Sequence, residues 1–271
     1  MKFFMNDFRF KKKFGQNFLV DKNIVEKIAS DIDILPNSLV IEIGCGDGKL
    51  TRVLCDKFDK VIGYEIDLEV KKNLFDNLRD FDNFEIIFDD FLKRDVISDI
   101  ENVDYDNLYI VANLPYYITT PIIEKIVNLD LKFKLMRIMV QKEVAERICS
   151  SPGGKEYGAV TIAVNYYAEP AMICDVSRDL FVPAPNVDSA VLKLSVREKP
   201  PVCVNDEKRF FALVKAAFAQ RRKTLLNALK NSGMFGDAGK ISGAISAMGF
   251  DPKIRGERLS IEDFAKLSEL L

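Results

Sequence analysis

Short apolar runs alternate along the chain with segments whose apolar residues follow a helical spacing. Five of these runs are continuous rather than alternating, which is typical of strands that are buried on both faces of a parallel sheet. A sixth run, residues 189–196, alternates between apolar and polar positions. Strands that alternate with helices predict an α/β fold with a mostly parallel sheet. The five continuous runs are residues 39–43, 61–64, 84–88, 108–112 and 135–140.

The pattern changes after Lys199-Pro200-Pro201, where only helical spacing remains. Ser260 and Asp263 are spaced as a capping box that begins the last helix. We therefore predict three parts: an amino-terminal arm and turn at residues 1–20, an α/β domain at 21–198, and a helical domain at 202–271. The apolar segment 157–167 is compatible with either a helix or a strand.

Composition excludes several classes of protein. With 271 residues, 48% hydrophobic and 30% charged, the chain is long enough for a sizeable core and a smaller domain. No charge-free apolar run approaches the roughly 18 residues of a membrane helix, and no signal peptide is evident, so we expect a cytoplasmic protein without membrane contact. Five cysteines without a paired spacing and the absence of histidine predict neither a metal site nor an imidazole base.

A glycine turn follows the first predicted strand directly, with the sequence Gly44-Cys45-Gly46-Asp47-Gly48. Lys49 stands where a dinucleotide fingerprint requires its third glycine, and no phosphate-loop motif is present. Glu65 ends the next strand about twenty residues later, the spacing of an acid that binds ribose hydroxyls. This combination favours S-adenosylmethionine over NAD, although a purely structural turn remains an alternative.

Residues 111–116, with the sequence Val-Ala-Asn-Leu-Pro-Tyr, end the fourth predicted strand abruptly. Pro115 prevents the strand from continuing, so Asn113, Leu114 and Tyr116 are expected at its carboxyl end, where open α/β sheets bind ligands. The Asn113 amide oxygen and the Leu114 carbonyl can each accept an N–H of a nucleobase amine and turn its lone pair out of the ring plane. Tyr116 would stack on the base. The alternative is a helix cap followed by an ordinary turn.

Two further positions near the expected ligand edge are open to two interpretations. The third strand ends at Asp89-Asp90, and one of these carboxylates can either accept from an adenine amino group or simply cap a helix. Phe181 begins a stiff, proline-containing loop at residues 181–186. Its ring either stacks on the target base or is buried beneath a rigid connector.

Basic residues cluster in two places in spite of the net charge of -2. Lys11, Lys12 and Lys13 belong to an amino-terminal arm that is also rich in phenylalanine, a combination suited to a phosphate backbone. Residues 208–230 contain seven basic side chains and no acids. Such density predicts a phosphate-facing surface, while a solvated tail and a solvated helix face are the alternatives. The seven are Lys208, Arg209, Lys215, Arg221, Arg222, Lys223 and Lys230.

Five stretches together resemble the ribosomal RNA adenine dimethylase family, and the resemblance extends over nearly the whole chain. Within that family the chain is most similar to the small-subunit enzymes that dimethylate two neighbouring adenosines near the 3′ end of 16S rRNA. The order and spacing of the stretches are much more specific than any one of them. They are residues 13–19, 42–48, 113–116, 181–191 and 218–223.

The resemblance implies a Rossmann-like class I methyltransferase domain, S-adenosylmethionine as cofactor, and a small helical RNA-binding domain. We predict direct methyl transfer to adenine N6 by a monomer, with 16S rRNA in the small subunit as partner and a link to ribosome biogenesis. The resemblance also favours Asp90 over Asp89 and gives the turn at residues 16–19 a role in covering the cofactor. The implied cofactor contacts are Asn17, Leu19, Gly44, Glu65, Asp90 and Asn113, and the glycine turn adds Gly46 to the predicted set. The implied target-base residues are Asn113, Leu114 and Tyr116, with Phe181 as a candidate. The RNA contacts predicted from the basic cluster at residues 208–230 are Arg221, Arg222 and Lys223.

Three other functions are compatible with parts of the pattern. The first is methylation of an adenine in 23S rRNA, which confers antibiotic resistance; the match at residues 187–191 disfavours it. The second is a largely non-catalytic role in assembly of the small subunit. The third is an NAD-dependent oxidoreductase, which Lys49 and the lack of a base for hydride transfer disfavour.

Overall fold

A computed structural model describes residues 17–129 and 131–271 of the chain. The chain forms two compact units. The first unit extends to Ala145 and includes Ala171–Val196, and the second consists of Glu146–Pro170 and Arg197–Leu271.

The first unit is built on a mostly parallel sheet. Within the described residues the sheet has seven strands in the order β4-β3-β2-β5-β6-β9-β7. The strands from β4 to β6 pair in parallel, and β9 pairs antiparallel with β6. Their bounds are β2 Ser38–Ile43, β3 Lys60–Tyr64, β4 Phe84–Ile87, β5 Asn107–Asn113, β6 Phe133–Gln141, β7 Ala168–Val176 and β9 Ser189–Val196. The predicted α/β class and its parallel strands are confirmed, and the ends agree to within two residues.

Helices connect these strands and cover the sheet. Asp21 caps the first helix, because its side chain accepts hydrogen bonds from the backbone N–H groups of Asn23 and Ile24 at 2.8 and 3.2 Å. All six residues of β2 are buried, as expected for a central strand with helices on both faces. The connecting helices are α1 Lys22–Ile28, α2 Lys49–Lys57, α3 Lys71–Leu78, α4 Val96–Ile100, α5 Thr119–Asn128 and α6 Lys142–Ile148.

The strand order reverses direction between β2 and β5. The chain moves from β2 outward through β3 to β4, and then returns to place β5 on the opposite side of β2. In open α/β sheets, the loops that follow the two strands at such a reversal diverge and leave a crevice between them. Gly44 follows β2 and Asn113 ends β5, so both predicted motifs reach this crevice.

A second, two-stranded sheet joins distant parts of the chain. Phe18–Leu19 forms β1 and pairs antiparallel with Phe181–Val182, which forms β8. The sequence predicts a turn at residues 15–19. Phe18 and Leu19 instead form a strand. No local pattern reveals this, because their pairing partners are Val182 and Phe181, far away in the sequence.

The second unit consists mainly of helices around its own hydrophobic core. The apolar segment that the sequence left open is a helix, α7 Ala159–Tyr167, and it belongs to this unit. The unit therefore begins earlier in the chain than the predicted boundary near residue 198, because the rings of α7 pack on those of α8. The other helices are α8 Glu207–Phe218, α9 Leu225–Ser232, α10 Ala238–Ala247 and α11 Ile261–Leu270.

The predicted capping box of α11 is confirmed. The Ser260 backbone N–H donates to the Asp263 carboxylate at 2.9 Å, and the Asp263 N–H donates to the Ser260 hydroxyl at 3.1 Å. Among the described helices, none has both the length and the apolar composition needed to cross a membrane.

Candidate active site

A cleft opens at the carboxyl ends of the central strands in the first unit. It contains about 1120 Å³ of empty space, including the part that is open to solvent. All the residues predicted to contact the cofactor line it, although they come from five separate segments of the chain. They are Asn17, Leu19, Gly44, Gly46, Glu65, Asp90 and Asn113.

The glycine turn lets two loops approach each other closely. Gly44 and Gly46 have φ angles of 82° and 54°, in the left-handed region that side chains disfavour. A Cβ atom on Gly44 would lie 3.7 Å from both the Asn113 carbonyl oxygen and Pro115 Cδ, and one on Gly46 would lie 3.2 Å from the Phe18 ring. The turn after β2 therefore touches the Asn113 turn on one side and β1 on the other.

Glu65 is held rigidly at the end of β3. One carboxylate oxygen accepts the Gly46 backbone N–H at 2.8 Å, and the other accepts the Asp67 N–H at 2.7 Å. Burial raises the pKa of Glu65, and the two backbone N–H groups oppose that shift. Because each carboxylate oxygen has more than one lone pair, the fixed carboxylate retains acceptor capacity for a pair of hydroxyl groups.

The loop after β4 forms another wall of the cleft, which both Asp89 and Asp90 line. Asp90 accepts the Leu92 N–H at 3.0 Å. Lys125 of α5 supports this loop: its ammonium group donates to the carbonyl oxygens of Phe91 and Arg94, both at 2.6 Å, and lies 5.1 Å from the centroid of the Phe91 ring. No local sequence pattern indicates this role, because Lys125 lies 31 residues or more from its partners.

The Asn113 turn is fixed by contacts outside the tetrapeptide. The Leu114 backbone N–H donates to the Met139 carbonyl at 3.0 Å, which extends the β5–β6 ladder by one bond. The Leu114 side chain is buried in the core, so it anchors the turn. The Thr119 hydroxyl donates to the Pro115 carbonyl at 3.0 Å. Asn113, Leu114 and Tyr116 all line the cleft, as predicted.

Comparison with known proteins shows the family to which the chain belongs. A family model described as ribosomal RNA adenine dimethylase matches residues 7–271. The chain belongs to the ribosomal RNA adenine dimethylase family.

Individual members of this adenine dimethylase family resemble the chain over almost its whole length. It is 48% identical over 268 residues to ribosomal RNA small subunit methyltransferase A of Geobacillus kaustophilus, covering 97% of this chain and 92% of the relative. A dimethyladenosine transferase from Plasmodium falciparum has a similar structure, with a TM-score of 0.72, 27% identity and coverage of 92% and 95% of the two chains. The 23S rRNA methyltransferase ErmE has a TM-score of 0.68 at 26% identity, covering 94% and 99%. The protein is therefore an rRNA methyltransferase with a class I fold.

Phe181 does not occupy the position that was predicted for a base-stacking residue. Its side chain is only 2% exposed and belongs to the hydrophobic core, and it does not line the cleft. The physical reason is the pairing of β8 with β1, which places Phe181 opposite Leu19. In this adenine dimethylase, Phe181 anchors the strand that forms one wall of the cleft.

The RNA residues predicted in the second unit lie in the turn between α8 and α9. Arg222 and Lys223 are exposed there. Arg221 is also exposed, and its guanidinium group donates to the carbonyl oxygens of Lys155 and Tyr157. It therefore also fixes the loop that precedes α7. Lys11, Lys12 and Lys13 of the predicted arm lie outside the described residues.

Sequence reasoning missed a buried acid in the cleft wall. Glu42 lies in β2, is completely buried, and neither of its carboxylate oxygens has a hydrogen-bond partner in good geometry. Burial raises the pKa of Glu42 to about 8, against an opposing influence from the nearby Thr51 hydroxyl. The signal that could have revealed it is a lone acid inside an otherwise apolar strand.

Proposed function

We propose that this adenine dimethylase transfers methyl groups from S-adenosylmethionine to N6 of two adjacent adenosines near the 3′ end of 16S rRNA. The supporting observation is the close approach of the Gly44 and Asn113 turns, which puts the predicted cofactor residues and the predicted amine-binding residues in one cleft. The relative from Geobacillus kaustophilus carries the small-subunit name at 48% identity, which favours 16S rRNA over 23S rRNA as the substrate.

The residues present fit the cofactor. Two glycines with left-handed φ angles leave room for a ligand to approach the backbone, and Glu65 offers a fixed carboxylate to the ribose hydroxyls. Asp90 would accept from the adenine amino group of the cofactor, and Asn17, Leu19 and Asn113 would enclose the rest. S-adenosylmethionine supplies a methyl carbon whose bond to positively charged sulfur breaks with its electrons remaining on sulfur.

The protein contributes alignment rather than acid–base catalysis. The Asn113 amide oxygen and the Leu114 carbonyl accept the two N–H groups of the target amine, so that its lone pair points out of the ring plane. Tyr116 holds the flipped ring by stacking. Fixing the amine in line with the methyl carbon and excluding water supplies most of the acceleration. After each transfer N6 releases one proton to solvent, which requires no histidine.

One experiment tests this function directly. The protein is incubated with labelled cofactor and either 30S or 50S particles that lack the methyl groups, and the modified bases are then mapped. We expect dimethylation of two adjacent adenosines near the 3′ end of 16S rRNA. Label in 23S rRNA would support the alternative adenine methyltransferase, and the absence of label in both particles would contradict the proposed activity.

Cofactor identity has a separate test. S-adenosylhomocysteine at 100 times its Kd is expected to stabilise the protein by about 2.7 kcal/mol and raise its Tm, because ligands stabilise the state that binds them. NAD at the same concentration is expected to leave the Tm unchanged, since nothing in the glycine turn is arranged around a pyrophosphate. A shift with NAD alone would favour an oxidoreductase.

Recognition of the RNA is proposed to depend on backbone charge around Arg221, Arg222 and Lys223, with the basic arm at Lys11, Lys12 and Lys13 as a second contact. We propose that the protein acts in the cytoplasm as a monomer. No base-reading element is required, because RNA helices are recognised mostly by shape and phosphate position.

Replacing both Arg221 and Arg222 with alanine is expected to weaken binding of 30S particles and to flatten its salt dependence. Each lost phosphate contact lowers the slope of log K against log salt by about 0.9 for a duplex and 0.7 for a single strand. Arg222→Ala alone should weaken binding and flatten the slope without disturbing the fold, whereas Arg221→Ala also removes the contacts with the loop at Lys155.

Lys266→Ala provides the matched control for these variants, because Lys266 is an exposed cation of the same unit on α11. Binding is measured by filter retention across a range of salt concentrations. An unchanged salt slope in the Arg221 and Arg222 double variant would show that the RNA binds to another part of the protein.

A further inference from the structure

Ser189 is a buried hydroxyl residue at the edge of the cleft wall. It is the first residue of β9, is completely buried, and pairs with Gln141 in the β6–β9 ladder. The three residues that follow it, Ala190, Val191 and Leu192, are all apolar and fully buried. A serine at the start of such a strand needs a partner for its hydroxyl, because a buried polar group without one destabilises the fold. That partner is Tyr116, whose phenolic oxygen is hydrogen-bonded to Ser189 Oγ.

The hydrogen bond restrains the one part of the Asn113 turn that its backbone leaves free. Leu114 is fixed by its bond to Met139, and Pro115 by its own ring and by Thr119. The Tyr116 ring can still rotate about its two side-chain torsions. A bond at its far end, to a residue fixed in the sheet, removes that freedom. Burial raises the pKa of Tyr116, so the hydroxyl keeps its proton and the bond persists at neutral pH.

The orientation of this ring matters for the proposed reaction. When a base stacks on Tyr116, the distance between its exocyclic amine and the acceptor groups of the turn depends on the tilt of the tyrosine ring. The groups that must accept the amine's N–H atoms belong to Asn113 and Leu114, which lie three and two residues before Tyr116 in the same turn. Small errors in the alignment of reacting groups cost large factors in rate. A free ring would therefore bind the base yet present its amine less often in the reactive position.

We propose that Ser189 is a positioning residue for the target adenine, which fixes the Tyr116 ring in the plane on which the base stacks. This inference rests on the proposed function. Ser189 itself touches neither cofactor nor base. It acts through Tyr116, across 73 residues of sequence.

The test is a double-mutant cycle of Ser189→Ala and Tyr116→Phe with 30S particles as substrate. Each single variant keeps the stacking ring and loses the tether, so each is expected to lower kcat by roughly three- to tenfold, the value of one hydrogen bond. The double variant should be no slower than either single variant, because the same bond is lost. The Kd for S-adenosylhomocysteine should stay within twofold of the wild-type value.

Ser195→Ala is the matched control, since Ser195 lies further along the same strand, opposite Leu135 rather than Gln141. All rates are measured well below the Tm of each variant, so loss of folded protein does not enter. Three results would each overturn the positioning role. The first is a loss in the double variant equal to the product of the two single losses, the second is an unchanged kcat in the single variants, and the third is an equal loss in Ser195→Ala. If the wild-type protein methylates neither particle, the proposed function itself fails, and that result is distinct from a failure of the tether.

Discussion

Replacing Asn113 with alanine is expected to abolish methylation of 30S particles while leaving their binding intact. In the proposed reaction the Asn113 amide oxygen accepts an N–H that becomes more acidic as positive charge develops on N6, so this hydrogen bond would strengthen in the transition state. Loss of one such preorganised group typically lowers kcat by roughly 10²- to 10³-fold. Single-turnover rates with labelled cofactor, together with filter binding of the particles, measure the two properties separately.

Asn107→Ala is the appropriate control for Asn113→Ala. Asn107 begins the same strand, at the end opposite to Asn113, and its side chain donates to the Pro36 carbonyl at 2.7 Å. Its removal is expected to reduce stability slightly and to leave kcat unchanged. Near-normal methylation by Asn113→Ala would refute the role that we assign to this side chain. It would also favour the alternative in which the turn is purely structural.

Glu42→Gln is expected to change how the stability of the protein depends on pH. The pKa of Glu42 is about 8 in the folded protein, against an ordinary value of 4.5. Between these values the folded state holds a proton that the unfolded state has released, so its stability falls as pH rises. The full difference corresponds to about 5 kcal/mol, at 1.36 kcal/mol for each pH unit. Glutamine keeps the shape of the side chain and cannot ionise, so the variant loses this dependence.

Urea unfolding at several pH values measures the effect of Glu42→Gln. The difference in unfolding free energy between variant and wild type should grow in favour of the variant by about 1.4 kcal/mol for each unit between pH 5 and pH 8. Other titrating groups cancel in this difference. Glu101→Gln serves as the control at an exposed glutamate, where we expect no such trend. A difference that does not vary with pH would show that Glu42 is ionised in the folded protein.

Most of the sheet was predictable because each of its longer strands has a characteristic pattern of apolar residues in its own sequence. The continuous apolar runs identified β2 to β6, and alternation identified β9, since burial on two faces or on one face leaves these patterns in the sequence. The segment that became α7 was not resolved, because it is apolar on nearly every side and so lacks a helical period. β1 and β8 were missed for a different reason. Two residues are too few to show a period, and their pairing is a long-range contact.

The site was predictable where its residues sit at the ends of recognisable strands. Gly44, Glu65 and Asn113 each follow or end a buried run, so the sheet topology alone brings them to one crevice. Lys125 and Ser189 act on the site from distant positions, and only the folded structure reveals them. Phe181 was open to two interpretations because an aromatic residue before prolines is equally compatible with a ligand wall and with a core. The strand pairing decided between them.

The pairing of β1 with β8 gives substitutions at Phe181 an unexpected kinetic signature. The side chain anchors the segment that carries Leu19, which lines the cleft where we propose that the cofactor binds, and Phe181 does not itself line that cleft. A substitution that loosens the packing of Phe181 should leave the maximal velocity almost unchanged and raise the apparent Michaelis constant for the methyl donor. A defect of that type is overcome by saturation with the donor, whereas one in the Asn113 turn persists at every concentration.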